Sequence, residues 1–112
     1  MNIETKKEGQ ILLATILDKS VESVNSREFK NQICQLIDNG DSLIILNFSH
    51  VEFIDSSGLG SLISIKKHLE NTKGKVVIAE AQDQVIRILN LTRLDQIFKV
   101  FQTEKAALTA LT

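Results

Sequence analysis

The stretch Phe53-Ile54-Asp55-Ser56-Ser57-Gly58-Leu59-Gly60 holds the side chains of this sequence best suited to chemistry: a carboxylate, two adjacent hydroxyls and two glycines. Asp55, Ser56 or Ser57 can each accept from the first free backbone donors of a helix that begins there. Gly58 and Gly60 are poor helix formers. Both together in a first turn predict a close approach of backbone to a neighbouring strand or to a partner protein. An Asp-Ser-Ser helix start often serves only as a cap, and glycines often serve only packing, so residue chemistry alone leaves two readings open. The functional one rests on place and charge. Hydroxyls at the end of a sheet stand where α/β proteins carry function, and a phosphate there brings about −1.5 to −2 charges and three strong acceptor oxygens. A helix N-terminus favours that charge by about 0.3–1 kcal/mol, whereas the adjacent Asp55 opposes it. The local effects partly cancel and the fold is spared. A partner docked over the loop would have to desolvate the dianion against a surface shaped for a hydroxyl. A few kcal/mol lost there weakens binding about a hundredfold or more.

Other chemistries lack their residues. Neither Gly58 nor Gly60 leads into Gly-Lys-Ser/Thr, so there is no Walker loop. Gly58-Leu59-Gly60 opens like a dinucleotide fingerprint, but Ile63 stands where the third glycine belongs. The serines are not in a Gly-x-Ser-x-Gly elbow, the usual setting of a hydrolase nucleophile. His50 and His68 have no metal-ligand spacing. His50 precedes the serine pair and could act as a base, but a solvated loop histidine is the expectation, and His68 is expected on a polar helix side. Lys66-Lys67 reads as a solvated helix face. Cys34, the single cysteine, rules out an internal disulfide and, beside Ile33, is expected to be a packing thiol. Catalysis, a metal and a cofactor are not expected.

The elements that position the segment follow from patterning. With 112 residues, 43% of them apolar, the chain predicts one domain spanning residues 1–112. A net charge of −1 gives no long-range pull on nucleic acid or anionic membrane. Five Phe without Trp or Tyr predict a Leu/Ile/Val core and no platform for stacking bases. Residues Met1 to Lys7 lack an apolar signal core, and no apolar run approaches a bilayer span, so the expectation is a cytoplasmic protein without membrane insertion.

Gln10–Leu17 reads as a strand, with Asn2–Lys6 a weaker edge strand before it. Asn25-Ser26-Arg27-Glu28 resembles a capping box, followed by Phe29, Ile33, Leu36 and Ile37 on one helical face. Asn39-Gly40 ends that helix. Leu43–Phe48 is nearly all apolar, the pattern of a strand buried on both faces. A second helix is predicted from about Ser57 to Asn71, with Leu59, Leu62, Ile63 and Leu69 inward and Gly74 as terminator. Val76–Ala79 is a strand and Gln82–Leu89 a helix with Val85, Ile86 and Leu89 inward. Ile97–Phe101 is a short strand, and Glu104–Leu111 a short helix with Ala107, Leu108 and Leu111 inward. Alternating helices and strands predict parallel strands with helical crossovers. The fold class is α/β, a small mixed sheet of four or five strands with about four helices.

Phe53 to Gly60 resembles the phosphorylation loop of STAS domains, in particular the bacterial anti-sigma factor antagonists (anti-anti-sigma factors). Leu43–Phe48 leads into it as in that family, and Arg87-Ile88-Leu89-Asn90-Leu91-Thr92-Arg93-Leu94-Asp95-Gln96-Ile97-Phe98 is similar to its C-terminal segment. The resemblance implies a partner-switching regulator of transcription. An anti-sigma factor with serine kinase activity would bind the unphosphorylated form and release its client. It would phosphorylate Ser56, with Ser57 as second choice, and a metal-dependent serine phosphatase would reverse this. By the same resemblance Asp55, Ser56, Ser57, Gly58, Leu59 and Gly60 form the contact loop. The family's Gly-x-Leu/Ile-Asp turn keeps its aspartate here, Asp18 in Thr15-Ile16-Leu17-Asp18, and loses its glycine. Asp18 is therefore a weaker contact expectation. The competing reading is a constitutive STAS subunit of a transport or other signalling complex, without a phospho-switch.

Overall fold

The apolar runs of the sequence become the central strands of a mixed sheet. The computed structural model describes residues 1–112. In chain order the elements are β1 (Ile3–Glu8), β2 (Ile11–Ile16), β3 (Ser20–Val21), α1 (Ser26–Asp38), β4 (Leu43–Asn47), β5 (Phe53–Ile54), α2 (Ser56–Leu69), β6 (Lys75–Ala79), α3 (Asp83–Leu91), a 3-10 turn (Leu94–Gln96), β7 (Val100–Phe101) and α4 (Glu104–Leu111). The main sheet has five strands in the order β1-β2-β4-β6-β7. Strand β1 is antiparallel to β2, and the pairs β2–β4, β4–β6 and β6–β7 are parallel. A second sheet of two strands pairs β3 with β5 in parallel.

Alternation along the strands separates two cores. Leu12, Ala14, Ile16, Ile44, Leu46, Val76 and Ile78 face Phe29, Ile33 and Ile37 of α1, Leu62, Ile65 and Leu69 of α2, and Val85 and Leu89 of α3. Ile11, Leu13, Ile45, Val77 and Ala79 turn the other way onto Ala107 of α4, with Leu108 and Leu111 partly buried against them. Three helices thus cover one face and α4 covers the other. Strand β4 is covered on both faces, as its composition predicts.

Three local expectations are corrected. The capping box does not form: Asn25 precedes α1, but its side chain caps nothing. Its amide instead accepts from Glu22 N at 2.8 Å and donates to Ser20 O at 2.9 Å, stitching the β3–α1 loop. Glu28 reaches the Met1 amine at 2.7 Å and takes Gln32 Nε2 at 3.0 Å. Ile63 is exposed, and Ile65 takes the inward place. Helix α2 rotates so that Gly58, Ser61, Leu62, Ile65 and Leu69 face the core, a stripe set by Gly58's close approach to β3. Gly74 does not end α2, which stops at Leu69. A Cβ at Gly74 would lie 2.5 Å from Ser42 O, so that glycine lets the chain pass close to the β4 entrance. His68 is exposed on the polar side of α2 as expected, and its Nε2 lies 2.7 Å from Asp38 Oδ1, joining the last turns of α2 and α1.

Candidate functional site

The serine loop lies at the C-terminal end of the parallel strands, the end at which open α/β sheets carry their sites. Strand β4 ends at Asn47, and the chain crosses to β5 before turning into α2. The side sheet fixes that crossing. Ser20 pairs with Phe53 and Val21 with Ile54. Glu52 N donates to Lys19 O at 2.6 Å and Asp55 N to Val21 O at 3.3 Å.

Asp55 is the cap of α2. Its backbone is extended, with φ −96° and ψ −175°, and its carboxylate accepts from Gly58 N. The two oxygens are divided between two segments. Oδ1 takes Gly58 N at 2.9 Å, and Oδ2 takes Ser23 N in the β3–α1 loop at 3.1 Å. The cap reading of the aspartate is therefore correct, and the same side chain also ties in a second loop.

Ser56 and Ser57 occupy the first two positions of α2, and both are exposed. Capping has been taken over by Asp55, so neither serine is needed for it. Leu59 is half-buried and packs against the larger core. The two glycines part company. Gly58 is buried: a Cβ there would collide with the Val21 carbonyl oxygen and lie 2.8 Å from Ile54 Cγ2. Its close approach is to β3 inside the domain, the neighbouring strand of the two alternatives that the sequence offered. Gly60 is exposed, and a Cβ there would meet nothing within 4 Å, so no close approach within the domain explains it.

Asp18 lies in the turn between β2 and β3, half-buried. Oδ1 accepts from Asn2 N at 2.7 Å and Oδ2 from Asn25 Nδ2 at 3.4 Å. Through Asn25 it belongs to the network that shapes the 20–25 loop beside Asp55. His50 is exposed. One contributor went unnoticed in the sequence. Ser61 is buried, and its hydroxyl donates to Ser26 O at 2.8 Å, joining the first turn of α1 to α2. A serine about one helical turn beyond the exposed pair carries no signal that separates it from them. Two apolar side chains flank the loop in solvent, Val24 at 85% exposure and Phe53 at 50%. No group of three or more His, Cys, Asp or Glu is placed to hold a metal ion, and no helix is long and apolar enough to cross a membrane.

Residues 2–107 match the family model described as the STAS domain. A Thermotoga maritima protein named "putative anti-sigma factor antagonist" is 32% identical over 92 residues, covering 81% of this chain and 81% of its own. A crystal structure carrying the same description, also from Thermotoga maritima, superposes with a TM-score of 0.87 at 26% identity, covering 96% of this chain and 92% of the other. The Bacillus cell fate determinant SpoIIAA in its phosphorylated form matches in fold, with a TM-score of 0.73 at 18% identity over 99% of this chain and 100% of the other.

Proposed function

Because the chain belongs to the STAS domain family, we propose that it acts as an anti-sigma factor antagonist whose binding is controlled by phosphorylation of Ser56. The unphosphorylated protein docks an anti-sigma factor with serine kinase activity, and the phosphorylated protein is released until a metal-dependent serine phosphatase restores it. The chain is then a ligand and substrate of enzymes, not an enzyme itself. The contact loop comprises Asp55, Ser56, Ser57, Leu59 and Gly60, with Asp18 supporting it from the neighbouring turn.

One observation carries the reading: an exposed hydroxyl pair stands beside a cap that does not need it. Since Asp55 already holds Gly58 N and Ser23 N, a phosphate on Ser56 replaces no bond of the fold. Its charge falls on whatever lies over the loop. The same division of labour disfavours a purely constitutive subunit, in which two solvent-facing serines have no task.

The test is incubation with the candidate kinase and ATP, followed by mass spectrometry of wild type, Ser56→Ala and Ser57→Ala. Phosphate on wild type and Ser57→Ala but not on Ser56→Ala is expected. Phosphate that survives Ser56→Ala and vanishes in Ser57→Ala moves the site by one residue. Tight kinase binding that is unchanged by ATP overturns the switch.

A further inference from the structure

Strand β1 forms one open edge of the main sheet, and we infer that it is an interface through which two copies of this chain pair antiparallel about a two-fold axis at Thr5. Leu17 N donates to Asn2 O at 2.9 Å, and the β1–β2 register runs from Ile3 opposite Ile16 to Glu8 opposite Ile11. In an antiparallel ladder, alternate residues turn their backbone groups to alternate sides. Asn2, Glu4, Lys6 and Glu8 therefore face β2. Ile3, Thr5 and Lys7 turn their N–H and C=O groups outward, where no strand of this chain receives them.

That parity leaves few ways for a second β1 to pair, because outward residues must oppose outward residues. Ile3 opposite Thr5 sets Glu4 against Glu4. Thr5 opposite Lys7 sets Lys6 against Lys6 and Glu4 against Glu8. Lys7 opposite Lys7 repels directly. Thr5 opposite Thr5 sets Glu4 against Lys6 twice, with Ile3 opposite Lys7, and no like charges meet. Like charges directly opposite are unfavourable and opposite charges favourable. Lysines on a sheet edge commonly keep other chains away; here they exclude every register of useful length except one.

The surroundings leave room. From Ile3 to Glu8 the strand is exposed apart from half-buried Ile3. A cleft of ≈ 380 Å³ between Ile3, Thr5 and the α1 residues Glu28, Gln32 and Gln35 runs along one side. A cleft of ≈ 330 Å³ beside Glu4, Lys6 and Thr15 runs along the other. Lys6 has one competing partner, Glu8 at 3.7 Å, with both side chains largely in solvent. Glu104 also lines the Glu4–Lys6 side, but its Oε2 is held by Asn47 Nδ2 at 2.8 Å. The result is a continuous sheet across two molecules, formed at an edge that the serine loop does not use.

Sedimentation velocity over a concentration series at low salt tests this. Wild type is expected to show a monomer–dimer equilibrium. Glu4→Lys and Lys6→Glu should each weaken it about tenfold or more, because two attractive pairs per dimer become repulsive. The double variant Glu4→Lys/Lys6→Glu should restore it, and an equimolar mixture of the two single variants should form a heterodimer. Thr5→Pro, which removes an outward N–H and leaves the β1–β2 bonds intact, should abolish association while circular dichroism stays native. A wild type that remains monomeric to millimolar concentration overturns the inference. So does association that ignores the charge variants.

Discussion

Gly58→Ala tests the packing that holds the serine loop. The added Cβ would strike the Val21 carbonyl oxygen and sit 2.8 Å from Ile54 Cγ2 and 3.1 Å from Val21 C. Two of those atoms are backbone of β3, which is pinned by its pairing with β5 and by Asp55 N on Val21 O. They cannot swing aside as a side chain tip would. Overpacking of this kind costs about 1–3 kcal/mol, and displacing α2 also strains the Asp55 cap, worth about 1 kcal/mol. Against this, alanine in place of glycine favours a helix by about 1 kcal/mol. The net expectation is a loss of about 1–3 kcal/mol. Gly60→Ala is the matched control: it gains the same helical preference and meets nothing within 4 Å, so a gain of about 0.4–1 kcal/mol is expected. Urea denaturation reads both as shifts of the midpoint at constant slope. If the two variants shift the midpoint in the same direction by similar amounts, the close approach of Gly58 to β3 does not constrain the loop and the account of the site fails.

Other outcomes follow from the same geometry. Ser56→Asp should leave stability within about 0.5 kcal/mol while weakening kinase binding about a hundredfold or more, read by calorimetry; a large fall in melting temperature would instead make the serine part of the cap. Asp55→Ala removes the cap on Gly58 N and the tether on Ser23 N, at a combined cost of about 2 kcal/mol by thermal denaturation. Burial pushes the Cys34 thiol above its ordinary pKa, with Asp38 reinforcing and Lys30 opposing. Iodoacetamide should therefore label it more slowly in the native protein than in urea at the same mildly alkaline pH. The raised value means that folding favours the protonated thiol. That contribution is whole below the unfolded pKa and disappears as pH rises through the folded one.

The main sheet was legible because its strands are continuous apolar runs. Leu43–Phe48 and Val76–Ala79 can hardly do anything but cross a core, and the helices between them force the parallel connections. The side sheet was not legible. Ser20–Val21 and Phe53–Ile54 are each a pair of residues, too short to carry a period of two, and their pairing depends on contacts across more than thirty positions. This is also why the cap of α1 was misread. Asn25 has the right type for a cap, but the nearby Ser20 carbonyl and Glu22 amide compete for its side chain and win. In α2 the helical period was correct and its phase was not. Gly58, rather than a large apolar residue, sets the inward direction and turns Ile63 to water. At the site, the cap, the exposed serines and one close glycine were predictable from residue type. Which of the two glycines touches β3 was not, since both look alike until the helix is placed against the strand.

The side sheet shares no hydrogen-bonded edge with the main one. Its grip on the serine loop is a handful of contacts: two short strands, Glu52 N on Lys19 O, Asp55 N on Val21 O, and Ser23 N on Asp55. Such a unit can open at a free energy well below that of the whole domain. Deuterium should therefore enter the Glu52 and Asp55 amides long before that of Ile45, which lies between two strands and under α4. Opening of this flap would withdraw Val21 and Ile54 from the larger core and leave the five-stranded sheet paired.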